Sequence, residues 1–261
     1  MMQLKSFSYR FLKVWRRNLM TYQKIWKVNF LTPLLEPLFY IMAFGIGFSG
    51  LIDEVRYGGN TFAYPHFIAP ALIATASMYN AFFETTYASF VRMYYQKTFD
   101  GMLATPLSLE EIIVAEIFWS ATKSVAAVAI MTLVLGVAGF IAFPSGLLLI
   151  PLAFLGGIAF GAVGMFFTGI IPSIDMFNLP IFLFITPMFL FSGTFFPVSN
   201  LPPWVRPLAM AFPLHHLAEL SRWCSLGTNE TSPMLSIVFL IVFSTVFMGL
   251  SLKAMTKRLI H

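Results

Sequence analysis

The sequence predicts an all-α polytopic membrane protein with about six transmembrane helices. An amphipathic interface helix, a helical cytoplasmic loop and short outer re-entrant helices complete the expected fold. Three observations lead there. First, 58% of the 261 residues are hydrophobic and only 10% are charged, with a mean hydropathy of +0.81, which excludes a soluble domain. Second, apolar runs long enough to cross a hydrocarbon core of about 30 Å recur along the chain. Third, the lysines and arginines behind the net charge of +5 gather at the two ends beside apolar runs. That is the mark of positive-inside topology and calls for no nucleic-acid partner. The lone Cys224 has no disulfide partner and no ligand cluster, which argues against redox and zinc chemistry. No cleavable signal peptide is expected, because the first apolar run starts only near Phe30, after a long basic stretch.

Residues 1–28 read as the interface helix. Leu4, Phe7, Phe11, Val14, Trp15, Tyr22, Ile25 and Trp26 recur at three- and four-residue steps, with lysines and arginines between them. The aromatic side is expected in the acyl boundary of the cytoplasmic leaflet and the basic side on lipid phosphates, so membrane lipids are expected partners. Asn29–Leu51 is the first span. Glu36 near its start either pairs at headgroup level or faces the bundle interior. Asp53, Glu54, Arg56, Gly58, Gly59 and Asn60 mark an outer loop.

Tyr64–Tyr95 is the second span, with Glu84 deep among aromatic and apolar neighbours. A carboxylate at that depth faces protein or a wet cavity, as a functional group or as a hydrogen-bonded packing residue. Residues 96–107 form the most informative loop. Thr98 is expected to cap a short helix with Asp100 in its first turn, and Phe99, Met102 and Leu103 form one apolar face that Pro106 terminates. An apolar-faced knob in water reads as a plug for a partner's groove. Ser108 and Glu111 then make a capping box for the third span, Leu109–Phe140. Within it Glu116 and Lys123 share a helical face. Lys123 is expected to snorkel to the surface, with pairing to Glu84 the other option.

Leu147–Ile171 is the fourth span, where Gly157 and Gly161 form a G-x-x-x-G pair for close helix packing, within the subunit or between two copies. Pro172–Asp175 turns the chain. The fifth span starts near Met176 and is broken by Pro180 and Pro187. Phe191–Trp204 is too apolar for a loop and too rich in turn formers for a straight span, so short helices dipping into the outer leaflet are expected there. Trp204 and Trp223 suggest an outer interface position, and Arg56, Arg206 and Arg222 are the basic residues of the outer loops. The adjacent His215 and His216 point in different directions on a helix, and no metal site is expected. Asn229-Glu230-Thr231 matches a glycosylation pattern too short to carry weight. Pro233–Leu252 is the last span, and with both ends basic the crossings must be even in number.

These features resemble the ABC-2 family of transporter permeases, and within it the NodJ type that exports nodulation lipooligosaccharide. The resemblance covers nearly the whole chain as a single transmembrane domain, residues 1–261. It rests on Trp15-Arg16-Arg17-Asn18, Phe83-Glu84-Thr85, Arg92-Met93, Met102–Ser108, Glu116, Trp119, Thr122-Lys123, Pro172-Ser173, Thr186-Pro187-Met188, Ser192-Gly193, Phe196-Pro197-Val198 and Pro213-Leu214-His215. It implies that Thr98, Phe99, Asp100, Gly101, Met102, Leu103, Ala104, Thr105, Pro106 and Leu107 form a coupling helix seated on a separate ATPase subunit, two copies of which serve a homodimer of permeases. Trp15, Arg16, Arg17 and Asn18 would mark the interface helix, and the family's short outer re-entrant helices would fall at residues 192–222. The chain itself has no phosphate-loop motif, so no cofactor is expected on it, and ATP and Mg would belong to the partner.

The expected reading is an exporter permease of a bacterial inner membrane with both termini cytoplasmic, moving a lipooligosaccharide, glycolipid or lipid-linked polysaccharide. Tyr79, Phe83, Glu84, Tyr87, Phe191, Phe195 and Phe196 are the candidates for lining its path. A hydrophobic drug is the alternative cargo. A proton-coupled carrier using Glu84 and a membrane enzyme using Glu84 or the histidine pair are the rival classes. Neither an inverted repeat nor a convergent acid, base and metal set supports them.

Overall fold

The protein is seen in a computed structural model that describes residues 9–24 and 54–260, with Leu35, Phe39 and Ala43 between them. The first span and Glu36 lie outside the described residues. The described elements are α1 (Phe11–Lys24), the strands β1 (Glu54–Tyr57) and β2 (Asn60–Ala63), α2 (Tyr64–Phe83), α3 (Thr98–Leu103), α4 (Leu109–Val137) and α5 (Leu149–Ile170). They continue with α6 (Ile174–Phe191), α7 (Arg206–Met210), α8 (Pro213–Leu226) and α9 (Pro233–Ile260). Among the described residues, four segments are long and apolar enough to cross a membrane: Leu109–Val137, Ser145–Ile170, Ile174–Phe191 and Pro233–Leu259.

The expected loop after the first span is a β-hairpin. Val55 pairs with Phe62 and Arg56 with Thr61, and the turn residues Gly58 and Gly59 have φ of 55° and 81°. Positive φ at both centres is what a two-residue turn needs to match strand twist, and glycine supplies it without steric cost. Tyr57 drops from the hairpin into a small core with Tyr64, Phe67, Ile68 and Leu72 of α2.

α2 continues helically past Phe83 through two wide i→i+5 turns, Glu84–Ala88 and Val91–Tyr95. Displaced backbone groups in such turns need partners. Thr168 of α5 donates its hydroxyl to the Thr85 carbonyl at 2.6 Å. α5 can come this close because its contact face is glycine. A methyl group at Gly157 would stand 2.5 Å from the Ala121 Cα on α4, and one at Gly164 2.9 Å from the Phe82 carbonyl on α2. The G-x-x-x-G pair is thus packing within the subunit, against α4. At the end of α5, Arg258 of α9 donates to the carbonyls of Thr168 (2.6 Å) and Ile171, closing a terminus that has no amide partner of its own.

Several expectations need correction. The cap of α3 is Lys97, in the left-handed region at φ 52°, and Thr98 makes no capping bond. The apolar face of α3 points inward: Phe99 is 0% exposed and Met102 is buried, both packed with Val14, Phe90, Leu109 and Ile112. The knob therefore plugs into its own body and presents Asp100, Gly101, Ala104, Thr105 and Pro106 to the outside. Similarly, the aromatic side of α1 lies on α4, with Phe11 on Phe118 and Trp15 and Tyr22 on Trp119. Pro180 and Pro187 do not break the fifth span. A wide turn over Ile181–Ile185 lies between them and relieves the clash a proline ring makes with the preceding turn. In the 192–222 stretch the short turn Val198–Asn200, α7 and the start of α8 are helical as expected, but Arg222 is only 1% exposed and belongs to no surface loop.

The capping box did form. Glu111 N donates to Ser108 Oγ at 3.2 Å and Ser108 N to Glu111 Oε2 at 2.9 Å, which starts α4 beside the α3 loop.

Candidate functional site

Where α1, α2 and α4 meet, apolar helices bring charged side chains together. Glu84 and Arg92 on the α2 rod are eight residues apart, and Glu116 and Lys123 on α4 are seven apart, so each pair shares a helical face. Packing those faces against one another assembles a four-residue ion cluster. Arg92 Nη1 lies 2.8 Å from Glu84 Oε1, and Lys123 Nζ lies 2.8 Å from Glu84 Oε2. Arg92 Nε donates to Glu116 Oε2 at 3.0 Å, and its Nη2 also reaches that oxygen.

Neutral donors satisfy most of what remains. Trp119 Nε1 donates to Glu84 Oε1 at 3.0 Å, Ser89 Oγ to Glu116 Oε2 at 2.6 Å, and Asn18 Nδ2 to Glu116 Oε1 at 2.8 Å. Glu116 is 0% exposed. Buried charges persist only when paired and hydrogen-bonded, and here both carboxylates share one guanidinium. Lys123 thus pairs with Glu84 and does not snorkel away.

α1 is pinned to this cluster by more than Asn18. Trp15 Nε1 donates to Thr122 Oγ1 at 2.9 Å, and Arg10 Nη1 donates to the Pro106 carbonyl at 2.8 Å. The interface helix, the α3 loop and the ion cluster therefore form one connected unit. Arg16 is exposed, whereas Arg17 is partly buried and donates to Asn18 Oδ1 at 3.1 Å. Burial pulls the Arg17 guanidinium below its ordinary pKa, with the Glu116 charge opposing the shift.

Above the cluster opens a cavity of about 780 Å³. Tyr79, Phe83 and Tyr87 form one wall of it, Glu84, Arg92 and Lys123 its floor, and Arg17, Asn18 and Tyr22 the α1 side. Tyr79 stacks on Phe83 at 5.5 Å and Phe83 meets Tyr87 at 5.9 Å. Four of the seven path candidates, Tyr79, Phe83, Glu84 and Tyr87, thus come together. Phe191, Phe195 and Phe196 do not line this cavity. Phe195 instead packs on Phe189 at 4.9 Å, and Phe189 meets Tyr79 at 6.0 Å, so the aromatic row continues from α2 onto α6.

A second buried cluster sits at the hairpin end. Tyr57 donates to Glu219 Oε1 at 2.7 Å, and the Glu219 Oε2 accepts from the amides of Glu230 (2.9 Å) and Thr231 (3.0 Å). Arg222 donates to the carbonyls of Gly193 (2.6 Å), Thr194 (3.1 Å) and Phe67 (3.3 Å), lies over the Phe67 ring at 4.0 Å and pairs with Glu219. Burial and the Glu219 charge push the Tyr57 hydroxyl pKa up, so the phenol stays protonated and donating. This cluster was missed from sequence. The signal was an acid and a base three apart on a helix opened by Pro213, a spacing at which side chains meet.

His215 contacts the Ser192 carbonyl and Thr231 Oγ1, and His216 contacts Ser236 Oγ and the Met210 carbonyl. Among the described residues no three His, Cys, Asp or Glu side chains are grouped to hold a metal.

Residues 9–226 match the family described as ABC-2 type transporter. The chain belongs to that family. Similar proteins include Nodulation protein J of Sinorhizobium fredii (strain NGR234), 34% identical over 98% of this chain and 97% of that one. Nodulation protein J of Rhizobium leguminosarum bv. trifolii is 35% identical over 97% of this chain and 95% of that one. The Inner membrane transport permease YadH of Escherichia coli K12 is 22% identical over 90% of each chain. The matched region takes in α1, the ion cluster, the α3 loop and the Glu219–Arg222 pair, so both buried clusters lie within the ABC-2 domain. As a member of this family the chain is the membrane component of a transporter.

Proposed function

We propose that this ABC-2 subunit is the membrane half of an ATP-driven exporter in a bacterial inner membrane, carrying an amphiphile such as a lipooligosaccharide, glycolipid or lipid-linked polysaccharide. Two permease copies enclose the path with six crossings each and both termini cytoplasmic. A separate ATPase, present twice, binds ATP and Mg and seats on the α3 loop. The observation that carries the reading is the connection between that loop and the cavity. Arg10 ties the loop to α1, Asn18 ties α1 to Glu116, and Arg92 ties Glu116 to the cavity floor at Glu84.

Because Phe99 and Met102 are buried, the ATPase contact falls on the other side of α3, with Asp100, Gly101, Ala104 and Thr105 beside Tyr94 and Tyr95. A push there moves the α2 rod relative to α6 across the Tyr79–Phe189 contact. The aromatic wall supports an acyl chain or sugar ring as cargo, since flat apolar rings offer large contact area at little entropic cost. Glu84 has cations at both oxygens, which supports a structural ion over the exchangeable proton site of a secondary carrier.

Co-expression with the cognate ATPase tests the reading. The two subunits should purify together, Asp100→Arg with Thr105→Arg should separate them while leaving the permease folded, and vesicle transport should need ATP. Transport driven by a proton gradient without ATP would favour the carrier instead.

A further inference from the structure

The geometry points to the α1–α2–α4 cavity as a site for the anionic headgroup of an amphiphile, with Arg17 the residue that reads the negative charge. The inference deepens the reading of the cavity as part of an exporter's path and rests on it. Its basis is an imbalance of charge. Arg92 and Lys123 are matched by Glu84 and Glu116, whereas Arg17 forms no ion pair among the described residues and yet lines the same cavity. Among the described residues the site is left with one positive charge beyond its carboxylates.

Arg17 is also held in place. Asn18 gives its amide nitrogen to Glu116 and can therefore offer only its oxygen to Arg17, which fixes the guanidinium through one of its five N–H groups. The others remain for a ligand. A fixed planar fork of donors in a half-buried setting suits a phosphate or carboxylate, which accept two parallel bonds. An anion there would offset, by its charge, the cost of burying the Arg17 guanidinium.

The rest of the cavity suits the sugar or acyl groups attached to an anionic head. Tyr79, Phe83 and Tyr87 make an apolar wall, Phe83 being 38% exposed, while Asn80, Thr21 and Gln96 provide hydrogen-bonding groups for hydroxyls. About 780 Å³ holds a headgroup and the first part of a chain, in the range of small-ligand sites. It is too small to enclose a polysaccharide.

Trp119 lines this cavity and provides the probe. The full-length protein has Trp26, Trp204 and Trp223 replaced by phenylalanine and Trp15 kept, because it pins α1 beside Trp119. It is reconstituted in phosphatidylcholine vesicles carrying increasing dibrominated phosphatidylglycerol or dibrominated phosphatidylcholine, so that emission comes from these two tryptophans alone. The anionic lipid is expected to quench Trp119 at about tenfold lower mole fraction, the scale of one charge-assisted pair. Arg17→Gln is expected to erase the preference, and Arg17→Lys, which keeps the charge but loses the fork, to retain part of it. Equal quenching by the two lipids, or an undiminished preference in Arg17→Gln with unchanged circular dichroism, overturns the proposal. If Arg17→Gln fails to fold, Arg17→Met, which keeps the length of the side chain and drops its charge, takes its place, and an undiminished preference there overturns the assignment to Arg17. Inorganic phosphate that perturbs Trp119 where neither lipid is preferred marks a free-anion site and likewise overturns it. The measurement needs neither ATPase nor transport, so failed co-purification sinks the exporter reading alone, and lost lipid preference sinks the headgroup site alone.

Discussion

Replacing Arg92 with glutamine removes the one cation that, among the described residues, directly contacts both buried carboxylates of the cluster, and the loss is unequal. Glu84 keeps Lys123 at 2.8 Å and Trp119 at 3.0 Å. Glu116 keeps only the neutral donors Asn18 at 2.8 Å and Ser89 at 2.6 Å, at 0% exposure. Stripping a buried ion of its partner costs about 3–5 kcal/mol. The new amide recovers about 0.5–1.5 kcal/mol through one hydrogen bond. The net loss is about 2–4 kcal/mol, or roughly 30- to 1,000-fold in the folded-to-unfolded ratio.

The double substitution Arg92→Gln with Glu116→Gln removes the stranded charge as well. It should be more stable than the sum of the single changes by about 1–3 kcal/mol, as expected for residues in direct contact. Reversible unfolding in mixed micelles, followed by circular dichroism, measures both quantities. An Arg92→Gln protein within about 0.5 kcal/mol of the parent, or strict additivity in the cycle, would refute the claim that a shared guanidinium holds α2 to α4.

Gly157→Leu should lower stability by about 1–3 kcal/mol in the same assay, since α4 backbone occupies the space. Phe99→Asp should expose the α3 loop to limited proteolysis, because it places a charge in the interior core, while Asp100→Lys should leave the cleavage pattern unchanged. Tyr57→Phe should cost about 1.5–3 kcal/mol at neutral pH by removing a hydrogen bond to a charged acceptor. The Tyr57 pKa is raised on folding, so its contribution is complete below the ordinary tyrosine value near 10 and fades as pH climbs through the higher folded value. The parent should lose its advantage over Tyr57→Phe only on that alkaline side, which paired melting curves would read.

Local grammar was legible and orientation was not. Ser108 and Glu111 announced their capping box because both bonds close within one turn, and the Gly157–Gly161 spacing announced a close helix contact. The amphipathic pattern of α3 was real, but periodicity says only that one face is apolar. Whether that face meets a partner or the chain's own core depends on packing with Phe90 and Leu109. The aromatic side of α1 shows the same limit: it meets α4 where lipid was expected.

The two ion clusters needed pairings across distant segments. The Glu84–Lys123 pair was legible as an alternative, and so was the face shared by Glu116 and Lys123, yet the bridging of both carboxylates by Arg92 emerges only once α2 lies on α4. Arg222 was misplaced because topology counting assigns cations to loops, whereas this one is satisfied by carbonyls of Gly193, Thr194 and Phe67 that no linear pattern brings near it.

The widened turns at Glu84–Ala88 and Val91–Tyr95 have a mechanical consequence. Each winds one extra residue into its coil, and such bulges are the places where a helix bends. Under the proposed coupling, force taken up at the loop beyond Tyr95 would pass both widened turns before it reached the stem above Phe83. Glu84 lies in one turn and Arg92 in the other, so the ion pair between them is a strut across the yielding part of the rod. Its strength sets how far the lower part can twist before the stem must turn with it.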